Sequence, residues 1–411
     1  MLATDFDSFF ESSQGDHGET ARGARGGGVG EVFACGPFTE SDTSGPNGLI
    51  EIARLGATEW EQVGVGLEAN VLSMVEFNGH LVACGTFQQD GDGNDLDQIA
   101  KFDGEVWSKL DSVNGDFTQG GTNPVHVSVF NGQLVVAGTF TTMSGLPANS
   151  VRRTAIFDLV TETWSELGGG LSAGTNFVFE EFQSELWMGF NSVIFGAGGQ
   201  GRGFGFLNGN TWDGQGLGLT RDGVPISGAC SALQVFDNEL YLGGNFDGIN
   251  GFTSDSSSPT FEAIAAFDGS SYTDPAGITG IFQPSSASST MDHLEAHAGA
   301  LYAVDVPEIN SVAIPSVAKW DGLTWTSVQG VSGIPGAERL LSTPDFLLAG
   351  GIITAIEGVF NGEGVSRSVA LFKNTEWEPL PQGGIGVPDG VGPTSGSVDI
   401  KDLVFVESLG S

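Results

Sequence analysis

Alternating apolar and polar residues recur in short runs along this chain, and glycine-rich turns separate the runs. In the clearest copy the alternation predicts four strands, A to D, at residues 71–77, 80–87, 99–102 and 106–110. Asn78-Gly79, between A and B, is a preferred pair for a two-residue type I′ hairpin, and Asp103-Gly104 gives a second hairpin signal between C and D. The pattern therefore predicts a small antiparallel sheet.

This unit occurs seven times, and an aromatic residue near the end of each copy marks it. The markers are 47 to 60 residues apart: Trp60, Trp107, Trp164, Trp212, Tyr272, Trp325 and Trp377. Repeats of this length, built from short strands and tight turns, are typical of β-propeller blades. We predict an all-β fold, a seven-bladed β-propeller with four-stranded blades. The aromatic series is predicted to be structural, with Trp107, Trp164, Trp325 and Trp377 largely buried between blades.

The first and last copies are incomplete in complementary ways. Strand B of the first copy, at 31–38, follows a glycine-rich stretch that forms no strand A, whereas residues 399–407 have the strand A pattern and no copy of their own. We predict that residues 400–407 pair with 31–38 and close the ring, which removes two exposed sheet edges. The predicted domains are a flexible tail at 1–28 and the propeller at 29–411.

Three motifs carry a family resemblance. They are the Gly-Thr-Phe step at 85–87, the Ile-Ala-Lys-Phe-Asp-Gly-x-x-Trp box at 99–107, and the Gly-Gly-Gly-Leu exit at 168–171. Together they resemble the kelch-like propeller repeats of secreted bacterial proteins and of fungal cortical-marker propellers, over residues 29–408. The resemblance implies the fold and says little about activity, because the repeats of that family are scaffold residues. The repeated turn aspartates are interpreted as turn formers rather than catalysts.

The charge of the chain narrows the choice of partner and location. It has 51 acidic against 14 basic residues, a formal charge of −37, so nucleic acid and anionic membrane surfaces are poor partners. The excess fits solubility in a salty or extracellular medium, or cation binding. No apolar run reaches the ~18 residues of a membrane span. No signal peptide is visible, so we expect an extracellular or cell-surface location only if the chain is part of a longer secreted protein; an intracellular one is the alternative.

Two groups of residues are candidate metal ligands. Asp90, Asp92, Asn94 and Asp97 place oxygen side chains in a glycine-containing loop, an arrangement that suits calcium. Lys101 stands where a calcium loop of the related type has its bidentate Glu, so an acidic, solvated hairpin tip is the alternative. His293 and His297 lie four residues apart on a predicted strand, hence ~13 Å apart, which is too far to share a zinc ion.

The lengths of the connections predict which face of the disc carries function. A–B and C–D turns are short, whereas B–C and D–A connections are long and emerge together on the opposite face, which we call the loop face. The main hypothesis is a non-enzymatic binding or adhesion scaffold that uses the loop face for protein or glycan contacts. The alternative is a hydrolase or lyase with a carboxylate-lined central site, with or without a dependence on calcium. Convergent polar groups in the central channel favour the alternative.

Overall fold

The computed structural model confirms an all-β architecture. It describes residues 30–41, 48–110, 117, 123–143, 151–175, 177–196, 199–214, 217–220, 229–251, 263–275, 291–304, 308–309, 312–313, 317–328, 337–353, 355–356, 359–360, 368–373, 375–380, 384–386, 400–407 and 409. The predicted tail at 1–28 lies outside these ranges. Within them we find no helix with the length and hydropathy of a membrane span.

Seven blades form the fold, and in each of them four antiparallel strands follow the order A-B-C-D. In blade 4, strand C also pairs in parallel with Leu217–Thr220, which extends that sheet. From blade 1 to blade 7, strand A is Asp402–Val406, Val71–Phe77, Pro124–Phe130, Val178–Phe182, Ala229–Phe236, His293–His297 and Ala337–Ser342. Strand B is Glu31–Cys35, His80–Gly85, Gln133–Gly138, Glu185–Gly196, Glu239–Asn245, Ala300–Val304 and Leu347–Gly351. Strand C is Ile52–Leu55, Ile99–Phe102, Thr154–Asp158, Gly199–Asn208, Ile264–Phe267, Val317–Trp320 and Val369–Lys373. Strand D is Trp60–Gln62, Trp107–Lys109, Thr163–Glu166, Thr211–Asp213, Tyr272–Thr273, Trp325–Ser327 and Glu376–Pro379.

The seven A strands form the innermost ring around a central channel. Each A strand contacts the A strand of the next blade, and the series closes from blade 7 back to blade 1. The closing strand, Asp402–Val406, runs antiparallel to Glu31–Cys35, with Asp402 opposite Cys35. The predicted ring closure by the C-terminal strand is therefore confirmed.

The Gly-x-Phe step has a physical basis in a contact between strands B and C. The amide of Gly85 donates to the carbonyl of Gln98 at 3.1 Å, and Gly138 makes the same bond to Arg153 at 2.9 Å. Both acceptor residues have positive φ, as they do at this position in three other blades. A Cβ on Gly85 would lie 2.0 Å from the carbonyl oxygen of Asn70 at the start of strand A. Glycine is required at position 85 because the backbones of strand A and strand B approach so closely there.

The turns on one face are tight, as the sequence predicts. Asn78-Gly79, Asn131-Gly132 and Asp237-Asn238 all have positive φ at both positions, the requirement of a type I′ turn. In the C–D turn of blade 2, the Asp103 carboxylate accepts bonds from the amides of Glu105 and Val106, both at 2.9 Å. Equivalent bonds in other blades support the interpretation of these aspartates as turn formers.

The loop face carries additional short strands that pair its connections. Glu40–Ser41 pairs with Ile385–Gly386 across blades 1 and 7, and Leu217–Thr220 pairs with Gly248–Gly251 across blades 4 and 5. Two small hairpins, Glu308–Ile309 with Val312–Ala313 and Ala355–Ile356 with Val359–Phe360, lie in the B–C connections of blades 6 and 7. In the described part of the loop face, backbone pairing thus holds these connections in place.

The aromatic markers are part of the core. All six marker tryptophans lie on D strands and are at most 6% exposed. The Trp107 indole Nε1 donates to the Val63 carbonyl of the preceding blade at 3.0 Å, and Trp212 donates to Leu167 at 3.2 Å. Each of these bonds connects one blade to the exit of the blade before it. The prediction that the aromatic series is structural is confirmed.

Candidate functional site

Five polar side chains stand at one level of the inner ring. In five blades, one polar residue of strand A pairs in register with the strand B residue that directly precedes the Gly step or its replacement. These residues are Asp402, Ser73, His126, His293 and Arg339, from blades 1, 2, 3, 6 and 7. In blade 5 the same position holds Ala232. Strand A runs from the long connections towards the A–B turns, so this level lies near the loop-face end of the channel. We call these five residues the channel ring.

Most ring side chains bond to the backbone of the following blade. The Met74 amide donates to Asp402 Oδ2 at 2.8 Å, and the Val127 amide donates to Ser73 Oγ at 3.3 Å. The Arg339 Nε donates to the Lys401 carbonyl at 2.9 Å. The inner edge of an A strand has no further strand to pair with, so its amides and carbonyls need such partners. The ring therefore has a structural role in joining neighbouring blades.

Further along the channel, two carboxylates repeat this arrangement. The Val235 amide donates to Glu180 Oε1 at 3.2 Å, and the Ser342 amide donates to Glu295 Oε1 at 2.9 Å. Burial raises the pKa of the Glu180 carboxyl to about 7, although the bond from Val235 opposes the shift. The negative charge of Glu295 adds to the increase. Glu180 is consequently a carboxyl that changes charge near neutral pH.

The ring itself contains coupled titratable groups. Burial lowers the pKa of the His126 imidazole to about 4, and the charges of Arg339 and His293 contribute in the same direction. Burial raises the pKa of the Asp402 carboxyl, against the opposing effects of the Met74 amide and of Arg339 and His293. These shared influences indicate that the side chains of blades 1, 3, 6 and 7 act on one another across the channel. Such perturbed groups are candidates for binding or proton transfer.

The sequence pattern singles out His293 but not the ring as a whole. The four-residue spacing of His293 and His297 raises only the question of a zinc pair. In the structure both side chains contact blade 7, where His293 Nε2 meets the Leu340 carbonyl and His297 Nδ1 meets Ser342 Oγ. A signal was present: Ser73, His126 and His293 each lie five residues before the A–B turn of their repeat. Aligning strand A across the repeats by that turn would have grouped them.

The predicted calcium residues form a loop beside blade 2. Asp90 is buried at 5% exposure, and its carboxylate accepts bonds from Asp92 N at 3.0 Å and from Asn94 N and Nδ2 at 2.8 Å each. Burial alone would raise the pKa of the Asp90 carboxyl, but the bonds from Asn94 and Asp92 outweigh it and lower the pKa. Asp97 instead pairs with Lys109 at 2.5 Å, and Asp95 pairs with the same amine at 2.6 Å. Calcium at this loop stays a prediction.

Two adjacent arginines before strand C of blade 3 make local contacts. Arg152 pairs with Glu166 at 3.2 Å, and Arg153 Nη1 donates to the Gly174 carbonyl at 3.1 Å. In the part of the chain that the structure describes, no group of three or more His, Cys, Asp or Glu side chains is arranged to hold a metal ion. The cysteines Cys35, Cys84 and Cys230 are buried free thiols.

Comparisons with known proteins add little to this picture. No family model matches the chain, and no curated protein matches it. Among solved structures, it is similar to the computationally designed Ika8 protein, at 10% identity and a TM-score of 0.38, covering 82% of this chain and 98% of that one. It is also similar to the extracellular domain of a putative hybrid two-component system from B. thetaiotaomicron, at 10% identity and a TM-score of 0.39. That match covers 79% of this chain and 36% of the other. Kelch-like membership stays a prediction.

Proposed function

We propose that this protein is a non-enzymatic binding scaffold that uses the loop face for protein or glycan contacts. The observation that carries the proposal is the difference between the two faces of the disc. One face consists of tight turns whose backbone groups are already bonded within the turn. The other carries long connections that pair with one another across blade boundaries. Surface loops held by a rigid scaffold are a common place for binding residues.

Charge and side-chain exposure favour a protein partner with a positive face. The formal charge of −37 attracts such a surface and repels an acidic one. All eight tryptophans are buried, so none offers the open ring on which a sugar stacks. On the loop face, Ile50 and Val65 are 38% and 40% exposed. They flank Gly66, where an added Cβ would lie 2.9 Å from Ile50 Cβ, so they form one small apolar patch.

The experiment is a capture screen with face-specific variants. Immobilised protein is exposed to an extracellular protein library and to a glycan array, at low and moderate salt, with and without calcium. We expect saturable binding of a basic protein, and we expect the double variant Ile50→Ser with Val65→Ser to lose it. The matched control is Val160→Ser with Leu323→Ser, because those side chains are 93% and 78% exposed on C–D turns of the opposite face. Loss of binding in the control variant alone would place the contact on the wrong face and refute the proposal.

One observation favours the alternative, a hydrolase or lyase with a central site. Polar side chains from several blades do converge on the channel, as an enzyme of this fold requires. The carboxylates among them nevertheless bond to backbone amides of the next blade, which leaves fewer groups for chemistry. Screening ester, glycoside and uronate substrates with the Glu180→Gln and Glu295→Gln variants tests this function. Turnover that both variants abolish would establish it.

A further inference from the structure

In the channel ring, more side chains can carry a positive charge than a negative one, in contrast to the chain as a whole. Arg339, His126 and His293 can each carry a positive charge, and Asp402 is the one carboxyl at this level among the described residues. The whole chain, by comparison, has 51 acidic and 14 basic residues. Three basic groups gathered on one level of a strongly acidic protein are not accounted for by solubility.

Part of the hydrogen-bonding capacity of these three side chains is unused. Arg339 Nε and Nη1 donate to backbone carbonyls of Lys401 and Glu338, which leaves Nη2 with no partner among the described residues. His126 meets Ser73 Oγ through Nδ1 at 3.4 Å, and its Nε2 has no partner within the described ranges. His293 uses Nε2 on the Leu340 carbonyl, and its closest carboxylate oxygen is Glu295 Oε2 at 3.7 Å.

Water can reach these groups. His126, His293 and Arg339 are all partly exposed, although they lie on the inner strands of the fold. The A strands begin at the loop face, so the open end of the channel nearest the ring is on that side. Partly exposed donors thus lie at one level of the inner ring, in blade 3 and in blades 6 and 7.

We propose that the channel ring binds a small organic carboxylate between Arg339, His293 and His126. The Nη2 group of the Arg339 guanidinium can donate a charge-assisted bond to a carboxylate, and protonated imidazoles add further charge-assisted bonds from the facing side. The bound anion would offset the repulsion from Arg339 and His293 that opposes protonation of His126. That repulsion is evident in the low pKa of His126, to which burial makes the largest contribution and Arg339 and His293 contribute further. The inference is independent of the loop-face scaffold, because it concerns a different surface and a different class of ligand.

The site is predicted to take up protons when it binds. His126 is neutral in the free protein above about pH 4, so a carboxylate beside it favours the charged imidazole and raises its pKa. The groups that face the ligand are Asp402, Ser73, His126, His293 and Arg339, with Glu180 and Glu295 further along the channel. The carboxyls oppose an anion more strongly as pH rises. Affinity should therefore increase as pH falls from 8 towards 5.

The test is titration calorimetry with malonate and with inorganic phosphate, at constant ionic strength set with sodium chloride. We expect saturable malonate binding with proton uptake, and about tenfold weaker binding in Arg339→Gln, as loss of one charge-assisted hydrogen bond predicts. Arg152→Gln is the matched control, since that arginine is on the surface and pairs with Glu166. His126→Asn keeps a polar side chain and provides a second variant if Arg339→Gln does not fold.

Each outcome decides the proposal. Weaker malonate binding in Arg339→Gln or His126→Asn, with Arg152→Gln unchanged, supports the site. Absence of saturable heat with malonate overturns it, and so does equal loss in all three variants. Phosphate binding without malonate binding overturns the carboxylate assignment.

Discussion

The outermost strand of each blade carries a similar side chain at its key position, whereas the innermost strand carries a different one from blade to blade. Strand D repeats itself: a large aromatic side chain faces the core in every blade, and in Trp107 and Trp212 the indole also bonds to the exit of the preceding blade. Strand A changes from blade to blade, with a carboxyl, a hydroxyl, an imidazole or a guanidinium at the same register position. Every blade must pack, so the packing position is uniform. The channel is shared by all blades, so each can contribute a different group to it.

Removing the closing strand should have the largest effect. Truncation after residue 399 takes away the strand A of blade 1 and opens an edge on Glu31–Cys35. An open, apolar edge is a template for pairing with other chains, so we expect loss of the cooperative unfolding transition and aggregation. Light scattering and thermal unfolding measure both effects. Truncation after residue 407 is the control, because it spares the strand. If the protein truncated after residue 399 were monomeric and as stable as the parent, the ring closure would be contradicted.

Truncation of an outer-strand aromatic should be the next largest effect. Trp107 is 5% exposed, packs on Phe102 with ring centroids 5.2 Å apart, and bonds to Val63. Trp107→Ala should lower the free energy of unfolding by about 3–5 kcal/mol, as core truncations of this size do. Chemical denaturation gives the value. The neighbouring Val106 is 58% exposed, so Val106→Ala should change stability little. A small effect at Trp107 would mean that blade packing does not depend on this series.

The inner strands should instead show a pH-dependent effect. The pKa of Glu180 is raised to about 7 in the folded protein, so its stabilising contribution is complete below its unfolded pKa of 4.5 and is lost as pH rises through 7. Glu180→Gln keeps an oxygen for the Val235 amide and carries no charge. We expect the variant to match the parent near pH 4.5 and to be more stable at pH 8, by at most about 3 kcal/mol. Parallel melting curves from pH 4.5 to 8 measure this, with exposed Glu181→Gln as the control. If thermal stability depended on pH identically in the parent and in Glu180→Gln, Glu180 would not be a buried carboxyl that becomes charged near pH 7.

The smallest predicted effect concerns the loop beside blade 2. If calcium binds Asp90, Asp92, Asn94 and Asp97, the melting temperature should rise with occupancy, because ligand binding to the folded state stabilises it. Asp92→Ala should remove the gain without changing the fold, since the Asp92 side chain is exposed. Calorimetric titration of metal-stripped protein at moderate salt measures binding directly. Lys109→Ala sharpens the test, because that amine competes for Asp97. An identical heat from parent and Asp92→Ala would rule out the loop.

The contrast between the strands explains what could be predicted from the sequence. Strand D and the turns depend on local patterns, so Trp107 and Asn78-Gly79 identify the blade and its hairpin. The partners of strand A side chains lie in the next blade: Glu180 bonds to a residue 55 positions further along the chain. No local pattern gives that distance. Similarly, Lys109 reaches the acidic loop from strand D, 12 and 14 residues away, and its role could not be inferred from the loop alone.

The pairing of Glu31–Cys35 with Asp402–Val406 also determines when blade 1 of the nascent chain can be completed. A ribosome adding ~5–20 residues per second needs roughly twenty to seventy seconds between making the first of these strands and the last. During that interval blades 2 to 7 can form in order, whereas blade 1 stays a three-stranded sheet whose inner edge is open. Contacts between distant parts of a chain form slowly for the same reason. The period in which a chaperone is most useful to this protein therefore ends only when its final strand has been synthesised.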